Sequence, residues 1–278
     1  MSATITAGGA GAGTGSLAPR PRARTPRRLS AIGDVSAMSG REFRRTIRSV
    51  DALVTALAIP VSIMLVFVVV FGGAIQQDGG YIDYVVPGTL ILCAGFGSAS
   101  TAIAVAQDMT TGTIDRFKTL PIYGASVLVG HVLASVMRNL VASALVIGVA
   151  LALGFRPSAD LGSWVLAILF LSLVIVAMTW VACAAGLVLS VDAAGSINFV
   201  FLFLPYLSTG FVEVDTMPEW LRGFAEYQPY TPIIETLRSL LTGSPMGGYG
   251  WQAIAWLLGL LVVGYVCASV TFRRRTAR

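Results

Sequence analysis

The sequence has little charge, a single lysine and a single histidine. Only 12% of its 278 residues are charged and 55% are hydrophobic, whereas about a quarter of the residues in an ordinary soluble domain are charged. The lone lysine, Lys118, does not stand in the GxxxxGK[ST] pattern of a phosphate-binding loop. These shortages exclude an ordinary soluble domain, and they predict a chain whose main solvent is lipid and which does not itself hydrolyse ATP.

Groups for catalysis or metal binding are scarce as well. The three cysteines, Cys93, Cys183 and Cys267, lie in apolar runs without a CxxC pair, which argues against a disulfide framework and a zinc site. An intramembrane hydrolase would need a nucleophile beside a base, but His131 is the only histidine, and the segment 95–98 (GFGS) is better explained by close helix packing. We therefore expect no catalytic residue, no metal site and no cofactor in this chain.

Long apolar runs dominate what remains of the sequence. A transmembrane helix needs about 20 apolar residues, and six runs approach or exceed that length, although the fifth is short. The sequence therefore predicts an all-α membrane protein with six transmembrane helices. The runs lie near residues 52–75, 85–106, 126–153, 163–189, 197–212 and 251–271.

Basic residues at the two ends of the chain set the predicted domain boundaries. Residues 1–34 lack apolar periodicity and are rich in Gly, Ala, Pro and Arg, which predicts a disordered basic tail. In 35–50, apolar residues alternate with arginines, a pattern typical of an amphipathic elbow helix at the membrane surface. The membrane domain is then 35–272, and 273–278 form a second basic tail.

The positive-inside rule gives the orientation. Both tails and the segment between spans two and three are basic, so six spans with both termini in the cytoplasm place most arginines inside. This distribution favours topology over nucleic-acid binding as the role of the basic residues. The Ala-, Arg-, Gly- and Val-rich composition favours a bacterial plasma membrane. In this topology only three basic residues lie on the outer side of the membrane: Arg156, Arg222 and Arg238.

Two polar positions inside or near the spans have alternative interpretations. Asp192, with Asn198, is explained more simply as a polar turn between spans four and five than as a proton-binding site. Arg138 follows His131 near the cytoplasmic start of span three, where it can snorkel, bind lipid phosphate or line a cavity. Snorkelling is the interpretation we favour.

The predicted outer segment, 213–250, is too polar to cross lipid. It contains five acidic residues, and Pro218, Pro229 and Pro232 interrupt it, so we expect short, broken helices at the outer face. The acidic excess is more simply a solvated surface than an attractor for cationic drugs.

The cytoplasmic segment 107–124 (QDMTTGTIDRFKTLPIYG) has the signals of a short amphipathic helix. Gly112 breaks the preceding helix, Thr113 can cap the next one, and Pro121 ends it. A helix over 114–120 would present an apolar face suited to a groove on a partner protein. A capped loop that closes a helical hairpin fits the pattern about equally well. The side chains presented would be Ile114, Phe117 and Leu120, with Arg116 and Lys118 beside them.

With these segments the chain resembles the permease subunits of type-2 ATP-binding-cassette exporters, particularly the daunorubicin-resistance type. The likeness covers about residues 35–272 and rests on three segments. The least specific of them is the basic elbow before the first span, which contains Pro60. In that family the loop between spans two and three is the coupling helix, and the matching residues here are Asp108, Gly112, Thr113, Asp115, Phe117 and Pro121. The outer segment matches through Met217, Pro218, Trp220, Leu221, Gln228, Pro229, Leu237 and Arg238.

The resemblance implies a transport function and two kinds of partner. A separate ATPase subunit would bind ATP and Mg, and a second permease chain, identical or different, would complete the path. The cargo would be drug-like or lipid-like. A polysaccharide or glycolipid exporter remains an alternative, as does a membrane scaffold or sensor that docks a partner on the same helix. Coupling to the ATPase would rest on Asp108, Gly112, Thr113, Ile114, Asp115, Arg116, Phe117, Lys118 and Pro121.

Overall fold

The computed structural model describes residues 50–75, 80–111 and 125–276. The predicted basic tails, almost all of the elbow helix and the whole predicted coupling helix lie outside these ranges, except for Arg273, Arg274, Arg275 and Thr276 of the C-terminal tail.

All regular secondary structure in the described residues is helical, which confirms the all-α prediction. Helix α1 is α-helical over Val50–Leu65, π-helical over Val66–Phe71 and α-helical again over Gly72–Ile75. The other helices are α2 (Tyr81–Thr110), α3 (Ala125–Ala152), α4 (Leu161–Gly186), α5 (Val191–Gly195), α6 (Ile197–Phe203), α7 (Glu219–Tyr227), α8 (Tyr230–Thr242) and α9 (Tyr249–Thr276).

Four helices in the described part are long and apolar enough to cross a membrane. They correspond to the second, third, fourth and sixth predicted spans. The apolar helices at the first and fifth positions are shorter, Leu57–Phe71 and Val191–Leu207. The four long ones are Tyr81–Thr110, Val127–Ala152, Leu161–Gly186 and Tyr249–Arg275.

Helix α2 is the centre of the bundle. It contacts α1, α3, α4, α5, α6 and α8, and most of its side chains are buried, whereas α9 packs mainly against α4 and keeps much of its surface exposed. The apolar surface of α2 is therefore covered by protein, and that of α9 is left for lipid.

Small residues let α2 approach its neighbours closely. A Cβ atom added at Gly186 of α4 would lie 2.4 Å from the carbonyl oxygen of Ala102, and one added at Gly97 would lie 1.8 Å from Oδ1 of Asn139 on α3. Glycine at these crossings allows the backbones to meet. The prediction that the segment 95–98 serves helix packing is confirmed.

The predicted fifth span is interrupted. The apolar run 197–212 forms α6, which ends at Phe203, followed by a 3₁₀ turn over Leu204–Leu207. Pro205 lacks the backbone N–H that a continuing α-helix needs, so the helix tightens and stops. Before it, Ser190 caps α5 and Asp192 is exposed, in agreement with a polar turn.

Beyond this turn the chain forms the short helices that the polar outer segment predicted. A 3₁₀ turn over Val214–Thr216 precedes α7, and α8 follows after Gln228 and Pro229. Helix α8 ends at Gly243, whose positive φ of 70° is a conformation that favours glycine. It packs against α2, α4 and α9, so α8 is built into the bundle, whereas α7 lies at its surface.

Candidate functional site

A side-chain contact joins the facing ends of α2 and α3. His131 Nε2 lies 2.9 Å from Asp108 Oδ2, and both side chains are largely shielded from solvent. Asp108 lies two residues before the last residue of α2, and His131 lies six residues after the first residue of α3. The pair therefore joins the two helix ends on either side of the segment 112–124.

The segment 112–124 contains the remaining predicted coupling residues. Asp108 is the one member of the predicted set that the structure describes. The others, Gly112, Thr113, Ile114, Asp115, Arg116, Phe117, Lys118 and Pro121, lie outside the described residues, so their roles stay predictions.

Arg138 occupies the middle of α3, thirteen residues after Ala125. Its Nη2 donates to the Gly97 carbonyl oxygen at 3.2 Å, to Ser100 Oγ at 3.1 Å and to Thr101 Oγ1 at 3.2 Å. The favoured interpretation of a snorkelling side chain near the helix start was wrong, because polar atoms of α2 lie within reach at this depth.

A buried polar layer continues beside Arg138 and joins three helices. Thr179 on α4 donates to Ser98 Oγ on α2 at 3.1 Å, and its hydroxyl lies 3.0 Å from Ser135 Oγ on α3. Asn139 Nδ2 donates to Ser135 Oγ at 3.1 Å. Buried hydroxyls that satisfy one another can fix the mutual position of helices. Sequence reasoning missed this layer, and its only sequence signal is the recurrence of Ser, Thr and Asn inside apolar runs.

Arg238 is the centre of a second polar cluster. The residue is buried on α8, yet its guanidinium donates to the backbone carbonyl oxygens of Tyr84 at 3.1 Å and Thr209 at 2.7 Å, and it pairs with the Glu235 carboxylate. The Arg238 side chain thereby links α8 to the start of α2 and to the turn after α6. Arg238, which the resemblance had selected, therefore has a structural role in this protein.

The other residues predicted for the outer segment divide between buried and exposed positions. Gln228 is buried and donates to the Leu207 carbonyl oxygen, and Met217 is buried below the start of α7. Pro218 and Pro229 precede α7 and α8 directly. Trp220, in contrast, is 80% exposed, so it does not belong to the buried contacts.

Acidic residues of this segment face solvent. Glu213, Asp215, Glu219 and Glu226 are all exposed, and Glu235 is paired with Arg238. No buried, unpaired carboxylate that could attract a cationic drug appears among the described residues of this segment, in agreement with a solvated surface.

An open cavity of about 580 Å³ lies at the surface where α4, α8 and α9 meet. Its walls are almost wholly apolar, and the hydroxyl of its one threonine, Thr236, donates to the Pro232 carbonyl oxygen at 2.7 Å. Such a cavity can hold an apolar body but offers it no directional hydrogen bond. Its lining includes Leu166, Leu169, Leu173, Leu240, Trp251 and Ile254.

Metal binding finds no support in the described ranges, where no group of three or more His, Cys, Asp or Glu side chains stands at coordinating distance. The long apolar helices and the polar contacts between them define a multi-pass membrane protein.

The model of the ABC-2 type transporter family matches residues 34–242. Because the match covers more than half of the chain, the chain belongs to this family.

Two curated relatives agree with the assignment. The chain is 27% identical over 243 residues to the probable doxorubicin resistance ABC transporter permease protein DrrC of Mycobacterium tuberculosis, covering 85% of this chain and 87% of the relative. It is 29% identical over 195 residues to the daunorubicin resistance ABC transporter permease protein DrrB1 of Streptomyces coeruleorubidus, covering 69% of each. The resemblance to daunorubicin-resistance-type permeases is therefore confirmed.

Proposed function

We propose that this chain is the membrane-spanning subunit of an exporter that moves a hydrophobic or amphipathic, drug-like or lipid-like compound outward. A separate subunit hydrolyses the ATP that drives the movement. The observation that carries the proposal is the family match over residues 34–242, together with relatives that are named as drug-resistance permeases.

The proposed topology has six crossings with both termini in the cytoplasm of a bacterial cell. Four long apolar helices support it directly. Helix α1 and the broken helices α5 and α6 would complete the crossings, and the arginines at the C-terminal end of α9 would lie inside. The Asp108–His131 pair then lies on the cytoplasmic side, next to the predicted coupling helix.

Force transmission follows from that placement. ATP binding would close the ATPase subunits against the helix predicted over 114–120, and the Asp108–His131 pair would make the ends of α2 and α3 move together. The polar layer around Ser98, Ser135 and Thr179 would pass the movement to α4. In this mechanism the chain transmits force and catalyses no reaction.

The open apolar cavity between α4, α8 and α9 can accept an apolar group, whether of a cargo molecule or of a lipid. It is large enough for the ring system of a polycyclic drug and lacks polar groups that would select a sugar. A second permease chain, identical or different, would complete the path across the membrane.

The first test is purification of this chain from its native membrane in mild detergent, with mass spectrometry of co-purifying proteins. Recovery of a Walker-motif ATPase near one-to-one stoichiometry supports the proposal. The purified complex is then reconstituted in proteoliposomes and given ATP with daunorubicin or a fluorescent lipid, and a complex whose ATPase lacks its Walker lysine serves as the control.

ATP-dependent movement of either compound that is lost in the control supports export and identifies the cargo class. A complex that hydrolyses ATP but moves neither compound, and moves a glycolipid instead, would support the polysaccharide or glycolipid alternative. Absence of any ATPase under several detergents would leave the scaffold or sensor as the better explanation.

A further inference from the structure

Three large aromatic side chains on α7 point away from the protein. Trp220 is 80% exposed, Phe224 50% and Tyr227 76%. They stand at positions i, i+4 and i+7, which share one face of a helix. We call these three side chains, Trp220, Phe224 and Tyr227, the aromatic face of α7.

The rest of α7 divides into two further faces. At 3.6 residues per turn, Glu219 and Glu226 lie within about 20° of one another and about 100–120° from Trp220, and both are exposed. Ala225 is buried and Leu221 half-buried on the side that meets the protein. One helix thus presents an aromatic face, an acidic face and a protein-facing side.

Hydrogen bonds fix the rotation of α7 about its axis. Arg222 Nε donates to the Met217 carbonyl oxygen at 2.8 Å, and its Nη2 donates to the Asp215 carbonyl oxygen at 2.7 Å. Gln228, directly after the helix, donates to the Leu207 carbonyl oxygen. The aromatic face therefore cannot turn inward without breaking these contacts.

The chemistry of the face fits the boundary between lipid and water. Trp and Tyr concentrate at that boundary because each has an apolar ring and a polar atom. Trp251, three-quarters exposed in the first turn of the long apolar helix α9, occupies the same kind of position. An acidic face on the opposite flank suits contact with water.

The size of the face argues against a protein partner. An aromatic side chain buries about 150–250 Å² when it is fully covered, so the part of these three that remains exposed is well below the approximately 800 Å² per partner of a stable interface. A bilayer needs no such area, because it is continuous along the helix and its neighbours.

We propose that α7 lies in the membrane–water interface, with Trp220, Phe224 and Tyr227 inserted among the lipid headgroups and Glu219 and Glu226 in water. The partner is the bilayer surface, and the acidic face makes a zwitterionic surface more suitable than an anionic one. Because α7 leads through Gln228 and Pro229 into α8, lipid contact holds the helix that contains Arg238 at a fixed depth. The proposal stands whether or not the chain exports a drug.

The test uses tryptophan fluorescence of the full chain in phosphatidylcholine vesicles whose acyl chains are brominated either near the headgroup or near the chain end. The signal of Trp220 is the difference between the unmodified chain and Trp220→Phe. We expect blue-shifted emission, at least twofold stronger quenching by the shallow bromines than by the deep ones, and weak quenching by aqueous acrylamide.

The matched control places a tryptophan on the acidic face, as Glu226→Trp in the Trp220→Phe background. Its emission should be red-shifted, quenched by acrylamide and insensitive to both bromolipids. If Trp220 behaves like this control, the interfacial position is wrong. It is also wrong if Phe224→Cys cross-links efficiently between two copies in vesicles, since a second chain would then cover the face.

Discussion

The guanidinium carbon of Arg238 lies 3.8 Å from the centroid of the Tyr84 ring, while Nη2 and Nε of the same side chain donate to the Tyr84 backbone carbonyl oxygen at 3.1 and 3.3 Å. The two residues are 154 positions apart in the sequence. A single side chain thus binds both the ring and the backbone at the start of α2. With Thr209 and Glu235 as further partners, the charge of Arg238 is fully compensated inside the protein.

Replacement of Arg238 should therefore destabilise the bundle. Arg238→Ala leaves the partly buried Glu235 carboxylate without its cation and the Tyr84 and Thr209 carbonyl oxygens without their donor, and we expect a loss of about 3 kcal/mol in unfolding free energy. Arg238→Lys keeps the charge but not the planar fork, so an intermediate loss is expected. Thermal unfolding in detergent, followed by size-exclusion chromatography, measures the effect.

Tyr84 provides the matched control for this contact. Its hydroxyl has no hydrogen-bond partner among the described residues. The unfolding free energy of Tyr84→Phe should therefore lie within about 0.5 kcal/mol of that of the unmodified chain. Tyr84→Leu loses the cation–π contact and should cost about 1–2 kcal/mol. Equal stability of Arg238→Ala and the unmodified chain would show that the cluster does not hold α8.

The Asp108–His131 pair should affect coupling more than stability. A partly exposed ion pair contributes about 0–1 kcal/mol, so Asp108→Asn and His131→Ala should change the unfolding midpoint little. If the pair makes α2 and α3 move together, either change should lower cargo-stimulated ATPase activity of the complex by up to about fivefold.

The exchanged pair, Asp108→His with His131→Asp, is the control for that prediction. It restores a carboxylate facing an imidazole at the same two positions, so it should recover more of the stimulated activity than either single change. Basal ATPase activity serves as a reference for assembly. An exchanged pair no better than the single variants would contradict a direct role of the contact.

Close packing of α2 and α4 gives a third prediction. Gly186→Ala would place a methyl group 2.4 Å from the Ala102 carbonyl oxygen, and the overpacking should cost about 1–3 kcal/mol. Gly148→Ala on α3 meets nothing within 4 Å, so the better helix propensity of alanine should stabilise the chain by about 0.5–1 kcal/mol. Thermal unfolding of both variants, side by side, decides between crowding and propensity.

Much of the helical framework could be predicted from the sequence because apolar runs of this length have few alternatives. The four long helices and the broken helices before α9 appear where the composition predicted them. The fifth predicted span was overestimated, since apolar residues continue past Pro205 although the helix does not. Hydrophobicity predicts that a segment is buried, but a proline can end its helix earlier than the apolar run ends.

The polar contacts depend on tertiary register and could not be predicted in the same way. Arg138 suggested snorkelling because a lone arginine in an apolar run has few local partners, but Ser100 and Thr101 lie opposite it once α2 and α3 pack. Asp108 was identified by resemblance, and its partner His131 was not. Which residues face each other across two helices is not encoded in the periodicity of either one.

The predicted coupling helix can be tested in the assembled complex. Phe117 is expected to supply the largest apolar contact with the ATPase subunit, so Phe117→Ala should reduce complex yield or cargo-stimulated ATPase activity severalfold while membrane insertion is unchanged. Thr119→Ala, on the other face of the predicted helix, should have little effect. Full yield and full activity of Phe117→Ala would contradict the assignment.

Arg138 distinguishes a structural contact from a transport pathway. Its three hydrogen bonds to α2 involve a charged donor, so Arg138→Gln should cost about 1–3 kcal/mol in unfolding free energy, with smaller losses for Ser100→Ala. The neighbouring Met137 is half exposed, and Met137→Ala should stay within about 1 kcal/mol of the unmodified chain.

If Arg138 serves only to join α3 to α2, transport should fall in proportion to the loss of folded complex, and the activity per folded complex should stay constant. If activity per complex falls while stability is retained, then the guanidinium lies on the path of the cargo, and a structural role alone is insufficient. Unfolding in detergent and transport in vesicles, measured on the same preparations, separate these two outcomes.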